Sequence, residues 1–408
     1  MSSFERLLVC RESAANVCVG MININIHKKQ LNIVGLGCII VIIIVKWVTA
    51  FYSYRYVLMY NQSLQSTSIM QAFRLRSEIP VPQYNFKLEH HHKIVTLGSC
   101  FASNIAERLQ DFRFTVMDNP FGVLYNPISI LQSVKSIQSE KLYSKEDLIY
   151  HDEEWHSFDH HSDFSRCNAE ECLKIINDNL EKTRAFFSLA DILIITYGTA
   201  YVYKHLKRDR IVSNCHRIPA QEFKYFLLNL QETIEATQKI VDTARAINPA
   251  IRIIFSISPI RYLKEGFTEN QLSKALLFLA LHKAIADKED CVYFPAYEIM
   301  MDDLRDYRFY KANLTHPNAL AIDYIWRIFS QSFFSRECFM IMEKVEKVVQ
   351  AYRHRPRNPQ TNKHKQFILK QLNYAAELKN QYTYLNIEKE MNYFKEILSV
   401  VEKGNFKL

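Results

Sequence analysis

Residues 93–109 read Lys-Ile-Val-Thr-Leu-Gly-Ser-Cys-Phe-Ala-Ser-Asn-Ile-Ala-Glu-Arg-Leu. The short apolar run Ile94–Leu97 has the look of a strand buried on both faces. It breaks at Gly98-Ser99-Cys100 and restarts with the spacing of an amphipathic helix. Such a strand-to-helix turn lifts a hydroxyl or thiol out of the sheet and aims it at the positive end of a helix dipole, where an anion is favoured. Ser99 and Cys100 are both candidates for that nucleophile.

Outward from this turn the chain alternates between apolar runs and helical patterns. Residues 192–196, 251–256 and 292–294 read as further buried strands, with helices expected near 101–111, 127–137, 168–189, 220–247, 269–286 and 317–335. Strands separated by helices of this length imply βαβ units, so the expected fold is α/β: a three-layer αβα sandwich around a parallel sheet, followed by a C-terminal helical extension. In such sheets ligands bind beyond the carboxyl ends of the strands. Those positions hold Gly98-Ser99-Cys100, Tyr197-Gly198-Thr199, Ser258-Pro259-Ile260-Arg261 and Asn313-Leu314-Thr315-His316-Pro317.

Leu97-Gly-Ser-Cys-Phe-Ala102 carries the signature after which the GSCFA family is named, a group similar to SGNH (GDSL-type) hydrolases. The resemblance continues through Asn119–Pro127, Thr196–Ala200, Asn214–His216, Ser258–Arg261, Glu269-Asn270, Ser273-Lys274 and Thr315–Pro317, covers about residues 70–329, and echoes weakly at His354–Pro356. It implies an SGNH-type fold, with His316 at the place where SGNH hydrolases hold their catalytic histidine. The orienter of that histidine would lie three residues earlier, where the family pattern has Asp and this chain has Asn313. Asp-to-Asn in a serine triad lowers turnover by about 10⁴, because the histidine takes the wrong tautomer. A thiolate–imidazolium pair depends less on a carboxylate, and gap-free register with Gly-Asp-Ser puts Cys100 at the nucleophile position; both observations favour Cys100, with a thiol pKa lowered by the helix N-terminus. Ser99 as nucleophile, with Cys100 as a small buried hydrophobe behind it, is the competing reading.

Acyl transfer also needs donors for an oxyanion and contacts for the substrate. The candidates are the backbone N–H of the nucleophile, the backbone at Gly122 or Gly198, the Thr199 hydroxyl, Asn214 or Asn126 in place of the third-block Asn that SGNH hydrolases carry and this chain lacks, Arg261 for an anionic or carbohydrate group, and His161 as a ligand-lining side chain. At Tyr262 the family pattern has His, which leaves that position without an inferred role. The expected function is that of an esterase or O-acyltransferase acting on an acylated carbohydrate or similar small-molecule ester through a covalent acyl-enzyme. A non-catalytic ligand-binding protein with a degenerate triad is the alternative. The reading calls for no cofactor and no metal.

The 408-residue chain has a formal net charge of +8. Half of it lies in residues 1–69, where Arg6, Arg11, Lys28, Lys29, Lys46 and Arg55 face only Glu5 and Glu12. The remainder is near balance, so no nucleic-acid partner is expected. Residues 31–45 are uncharged and fall short of the roughly 20 that span a bilayer, but with Lys46 snorkelling the stretch 31–51 can serve as an N-terminal anchor. The other reading is a start at Met70. Expected boundaries are therefore an extension over 1–69, an α/β domain over 70–335 and a helical appendage over 336–408, in a cytoplasmic protein that meets a membrane only if 31–51 is an anchor.

Nine cysteines without a C-x-x-C pair indicate a reducing compartment. His90-His91-His92 cannot all reach one ion from extended backbone. The aromatic-rich stretch around His156, His160 and His161 reads as a loop over the main domain, with His160 or His161 facing a ligand. Arg353-His-Arg-Pro-Arg357 is read as a connector between two helices, its arginines either contacting phosphate or polysaccharide or merely joining a packed appendage.

Overall fold

The computed structural model describes residues 76–402; the possible anchor at 31–51 and the alternative start at Met70 lie outside the described residues. Among those described, no helix is long and apolar enough to cross a membrane.

Strand β1 (Lys93–Gly98) runs into helix α1 (Cys100–Asp111), followed by β2 (Thr115–Asp118) and α2 (Pro127–Gln138). A hairpin of β3 (Leu148–His151) and β4 (Glu154–Ser157) leads to α3 (Ala169–Phe187) and β5 (Ile192–Tyr197). Three antiparallel strands, β6 (Tyr201–His205), β7 (Arg210–Val212) and β8 (Phe223–Leu227), precede α4 (Leu230–Ile247). The core closes with β9 (Arg252–Ile257), α5 (Phe267–Ile285), β10 (Cys291–Phe294) and α6 (Ala319–Phe333), and α7 (Arg336–Arg353), α8 (Asn362–Gln381) and α9 (Glu388–Glu402) follow.

The central sheet has the order β10-β9-β5-β1-β2 and every pair is parallel. Because side chains alternate across a strand, its apolar runs feed two cores. Val95, Leu97, Leu193, Ile195, Ile253 and Phe255 pack against α2, α3, α4 and α5. Ile94, Ile192, Ile194 and Ile254 pack on the opposite face against α1 and α6. This is the three-layer αβα arrangement expected from the continuous apolar runs.

Several elements differ from the sequence reading, among them the β3–β4 hairpin and β6, which were not expected. The edge strand β2 was not expected; it is only four residues long and ends on Asp118. The helix expected over 220–247 is split. Phe223-Lys-Tyr-Phe-Leu227 pairs with β6, and α4 starts only where Asn229 and Glu232 form a reciprocal capping box. Beyond the Arg353–Arg357 connector there are two helices rather than one. The three C-terminal helices enclose their own core around Val345, Val348, Ile368, Leu378 and Phe394. They are tied to the α/β core by Arg113, whose Nε lies 3.1 Å from the fully buried carboxylate of Glu390, and by the Arg353–Asp111 pair.

The histidine clusters are structural in their contacts. His90 Nε2 bonds the Phe112 carbonyl at 2.8 Å, His216 Nε2 bonds the Ser157 carbonyl at 2.7 Å, and His160 Nδ1 meets Ser157 Oγ at 2.9 Å. Burial pushes the His160 ring down to about 3 and the His90 and His216 rings down to about 4. Each ring is therefore neutral in the fold at pH values where the unfolded chain is already protonated. The stability so contributed is present above the unfolded value of 6.5 and is lost as pH falls toward 4. At 1.36 kcal/mol per pKa unit the loss is on the order of 3 kcal/mol for a single ring. Urea midpoints should fall steeply between pH 6.5 and 4.5, with a shallower fall in His216→Gln; equal slopes in the two proteins would exclude this origin.

Candidate active site

The site is built on the end of β1. Gly98 has φ +137°, and a Cβ there would lie 2.2 Å from the Thr196 carbonyl oxygen on the neighbouring strand. No other residue fits this position, because the strained φ and the clash with backbone add. Gly98→Ala should cost about 3 kcal/mol in a urea titration, and a cost under 1 kcal/mol would contradict the geometry. The turn is fastened from both sides: Asn119 Oδ1 accepts from the Gly98 N–H at 2.8 Å, the Ser99 N–H donates to the Thr196 carbonyl at 3.0 Å, and the Leu124 N–H donates to the Gly98 carbonyl at 2.8 Å.

The structure distinguishes the two adjacent candidates by their contacts. Ser99 is the N-cap of α1: it is 1 % exposed, and its Oγ accepts from the Phe101 N–H at 3.3 Å. Cys100, the first residue of the helix, is partly exposed and borders a cavity of about 350 Å³ with Ser99, Tyr125, Gly198, Arg261 and His316. The expected drop in the Cys100 thiol pKa is not found. Burial pushes it up, outweighing the lowering effects of its own backbone N–H, Lys311, Lys274 and the Phe101 N–H.

The helix that follows His316 starts two residues later than the expected 317. Helix α6 begins at Ala319 with Asn318 as its cap, so His316 and Pro317 belong to the preceding loop rather than the first helical turn. That loop is strained, with Leu314 at φ +56°. Asn313 Oδ1 accepts from the Thr315 and His316 backbone N–H groups, both at 3.2 Å. These two donors determine which end of the amide is oxygen, and its Nδ2 therefore faces His316 Nδ1 at 2.8 Å. An amide NH₂ can only donate, so this contact favours the tautomer with Nδ1 as acceptor and the ring proton on Nε2; the Thr315 hydroxyl also lies 3.0 Å from Nδ1. Burial, and then Lys311, lower the pKa of this ring, which favours the neutral form.

The remaining candidates separate. The Gly122 N–H donates to the Asn119 carbonyl at 2.7 Å, and the Gly198 N–H donates to the Tyr125 carbonyl at 2.7 Å. Both groups are occupied and neither is free for an oxyanion. Thr199 Oγ1 is likewise engaged, meeting Ser273 Oγ at 3.0 Å and accepting from the Tyr201 N–H at 3.1 Å. The Phe101 N–H is given to Ser99 Oγ, which leaves the Cys100 N–H at the start of α1, where an anion is favoured, as the donor beside the sulfur. Arg261 reaches the cavity with its guanidinium over the Phe267 ring at 5.7 Å and with a buried Nε that has no partner. Asn214 and His161 lie instead in an adjoining chamber of about 540 Å³, where Asn214 Nδ2 donates to Ser162 Oγ at 3.2 Å and His161 Nδ1 is 3.0 Å from an Asp163 carboxylate oxygen.

Sequence reasoning assigned no role to Lys274. It is 2 % exposed, and its Nζ donates to the Gly198 and Ser258 carbonyls, each at 2.7 Å, clamping the loops after β5 and β9. Burial, and then Arg261, bring its pKa down to about 7, and it is close enough to Cys100 to favour a thiolate. The only signal for it in the sequence was its place in the Ser273-Lys274 block. Among the described residues, no group of three His, Cys, Asp or Glu is arranged to hold a metal ion.

Residues 93–329 match the model of the GSCFA family, and residues 345–400 match that of the GSCFA domain protein C-terminal domain. Comparison with curated proteins finds no match. Among solved structures, the chain is similar to an acetyl xylan esterase (Est2A) from the rumen bacterium Butyrivibrio proteoclasticus, at 10% identity and a TM-score of 0.30, over 62% of this chain and 64% of that one. The match spans less than two thirds of that chain, and at this score the likeness supports no argument about activity.

Proposed function

The chain belongs to the GSCFA family, and on that premise we propose that it is an SGNH-type esterase or O-acyltransferase with Cys100 as nucleophile, acting on an acylated carbohydrate or similar ester. The observation that supports this most directly is the division of labour at the turn. Ser99 and Cys100 both border the cavity that holds His316, but Ser99 is buried with its Oγ capping α1, whereas Cys100 is partly exposed there. The sulfur attacks the ester carbonyl carbon, and the carbonyl oxygen takes negative charge beside the Cys100 N–H at the start of α1. The carbon–oxygen bond to the alcohol breaks, the alcohol leaves with a proton, and a thioester remains. Attack by water releases the acid, or attack by a sugar hydroxyl forms a new ester; either regenerates the thiol.

The thiol proton needs an acceptor, and His316 Nε2 accepts only in the minority tautomer, with the ring proton on Nδ1. The proposed enzyme is accordingly slow. One observation favours the second reading, a binding protein that keeps the cavity: Asn313 holds the histidine in the form that donates. An iodoacetamide probe and a fluorophosphonate probe separate the cases. Rapid labelling of Cys100 together with turnover of p-nitrophenyl acetate supports the thiol enzyme. Fluorophosphonate labelling of Ser99 overturns the nucleophile assignment, and silence from both probes supports the binder.

A further inference from the structure

The chamber beside the reaction cavity is part of the same opening, since Tyr125, Tyr262 and Lys264 border both. Its distinctive wall comes from the small antiparallel sheet. Tyr201 and Tyr203 are two apart on β6 and so share a face, and Tyr203 is directly opposite Tyr225 on β8. Tyr203 and Tyr225 have ring centroids 4.4 Å apart, and Tyr201 stacks on Tyr225 at 5.1 Å. Polar groups from Asn126 and Asn214 also border the chamber. Flat phenol faces with hydroxyl and amide groups at their edges suit a pyranose ring, whose C–H face is apolar and whose rim is hydroxylated.

Charge narrows the ligand class. Among the described residues no Asp or Glu forms the wall of either space, whereas Lys264 borders both and Arg261 borders the reaction cavity. Lys264 Nζ sits 4.7 Å from the Tyr203 ring centroid and 4.9 Å from that of Tyr225. Its polar contact is the Tyr203 hydroxyl, and among the described residues no ion pair joins either it or Arg261 to a carboxylate. Glu265, whose Oε1 is buried without a hydrogen-bond partner among the described residues, lies behind the wall and adds to burial in raising the pKa of the Tyr225 and Tyr262 phenols, and Asp163 is paired with His161.

We propose that this chamber is the alcohol-side subsite for an anionic saccharide, its ring on the Tyr203–Tyr225 face and its carboxylate, phosphate or sulfate held by Lys264. This rests on the ester-cleaving reading for what happens to the sugar, but binding alone tests it. Calorimetry of the full Cys100→Ala chain at physiological salt would use trigalacturonate, glucose 6-phosphate and uncharged xylotriose. At least one anionic probe should bind tenfold or more tighter than xylotriose, and which one does so distinguishes carboxylate from phosphate. Lys264→Met should abolish that preference, and Tyr203→Ala should weaken binding tenfold. The proposal is overturned by equal affinity for xylotriose, by binding of none of the probes, or by affinity unchanged in Tyr203→Ala, which would indicate a surface ion effect. Turnover of p-nitrophenyl acetate by the wild-type protein is read separately. Turnover without saccharide binding sinks the chamber alone, whereas saccharide binding without turnover sinks the ester reading alone.

Discussion

Replacing Cys100 by Ala is expected to lower kcat/KM on p-nitrophenyl acetate by at least about 10³, equivalent to about 4 kcal/mol of transition-state stabilisation. The whole covalent route is lost when the sulfur is removed, and what remains is binding and whatever the helix N-terminus does for an oxyanion. Fold stability should change little, because Cys100 is partly exposed at the first position of α1. The contrasting variant is Ser99→Ala. It removes the cap that accepts from the Phe101 N–H, so it should cost about 1 kcal/mol of stability while retaining activity within a few-fold. Urea midpoints and kinetics on both variants separate the roles. A stable Cys100→Ala protein with wild-type turnover, or an inactive Ser99→Ala that is folded, would reverse the assignment.

Asn313→Asp is expected to raise kcat/KM by about 10- to 100-fold. With Asn, the Thr315 and His316 backbone N–H groups hold the amide oxygen, and the NH₂ group is left facing Nδ1. A charged imidazolium would bring two N–H groups together across 2.8 Å, so the same contact opposes protonation during catalysis. A carboxylate accepts from the backbone and from Nδ1–H at once, leaving Nε2 free as a base. The gain is set below the roughly 10⁴ seen for the reverse change in a serine triad, because a thiol is the stronger acid and leans less on its base. The variant should also raise the His316 pKa, moving the acidic limb of the pH–rate profile upward. Unchanged rates with an unchanged profile would show that His316 takes no part in proton transfer.

Much of the fold was legible because buried parallel strands are dominated by apolar residues on both faces, as β1, β5, β9 and β10 are. The Phe223–Leu227 strand was not. Its alternation is short and adjoins a strongly helical segment, and only its pairing with β6 makes it a strand. Of the site, the Gly-Ser-Cys turn and the Asn313–His316 block were visible because each is local. The tyrosines of the second chamber were not, since Tyr125, Tyr203, Tyr225 and Tyr262 are dispersed over more than a hundred positions and converge only in the folded chain.

From the sequence alone came the sheet architecture, the family resemblance and the pair of adjacent nucleophile candidates, because periodicity and short motifs are properties of neighbouring residues. The tertiary structure decided which hydroxyl is committed to a cap, which backbone N–H groups are already engaged, and which way the Asn313 amide points. Those depend on hydrogen bonds between residues that only folding brings within reach, such as the Ser99 N–H on the Thr196 carbonyl and Lys274 across the ends of two strands.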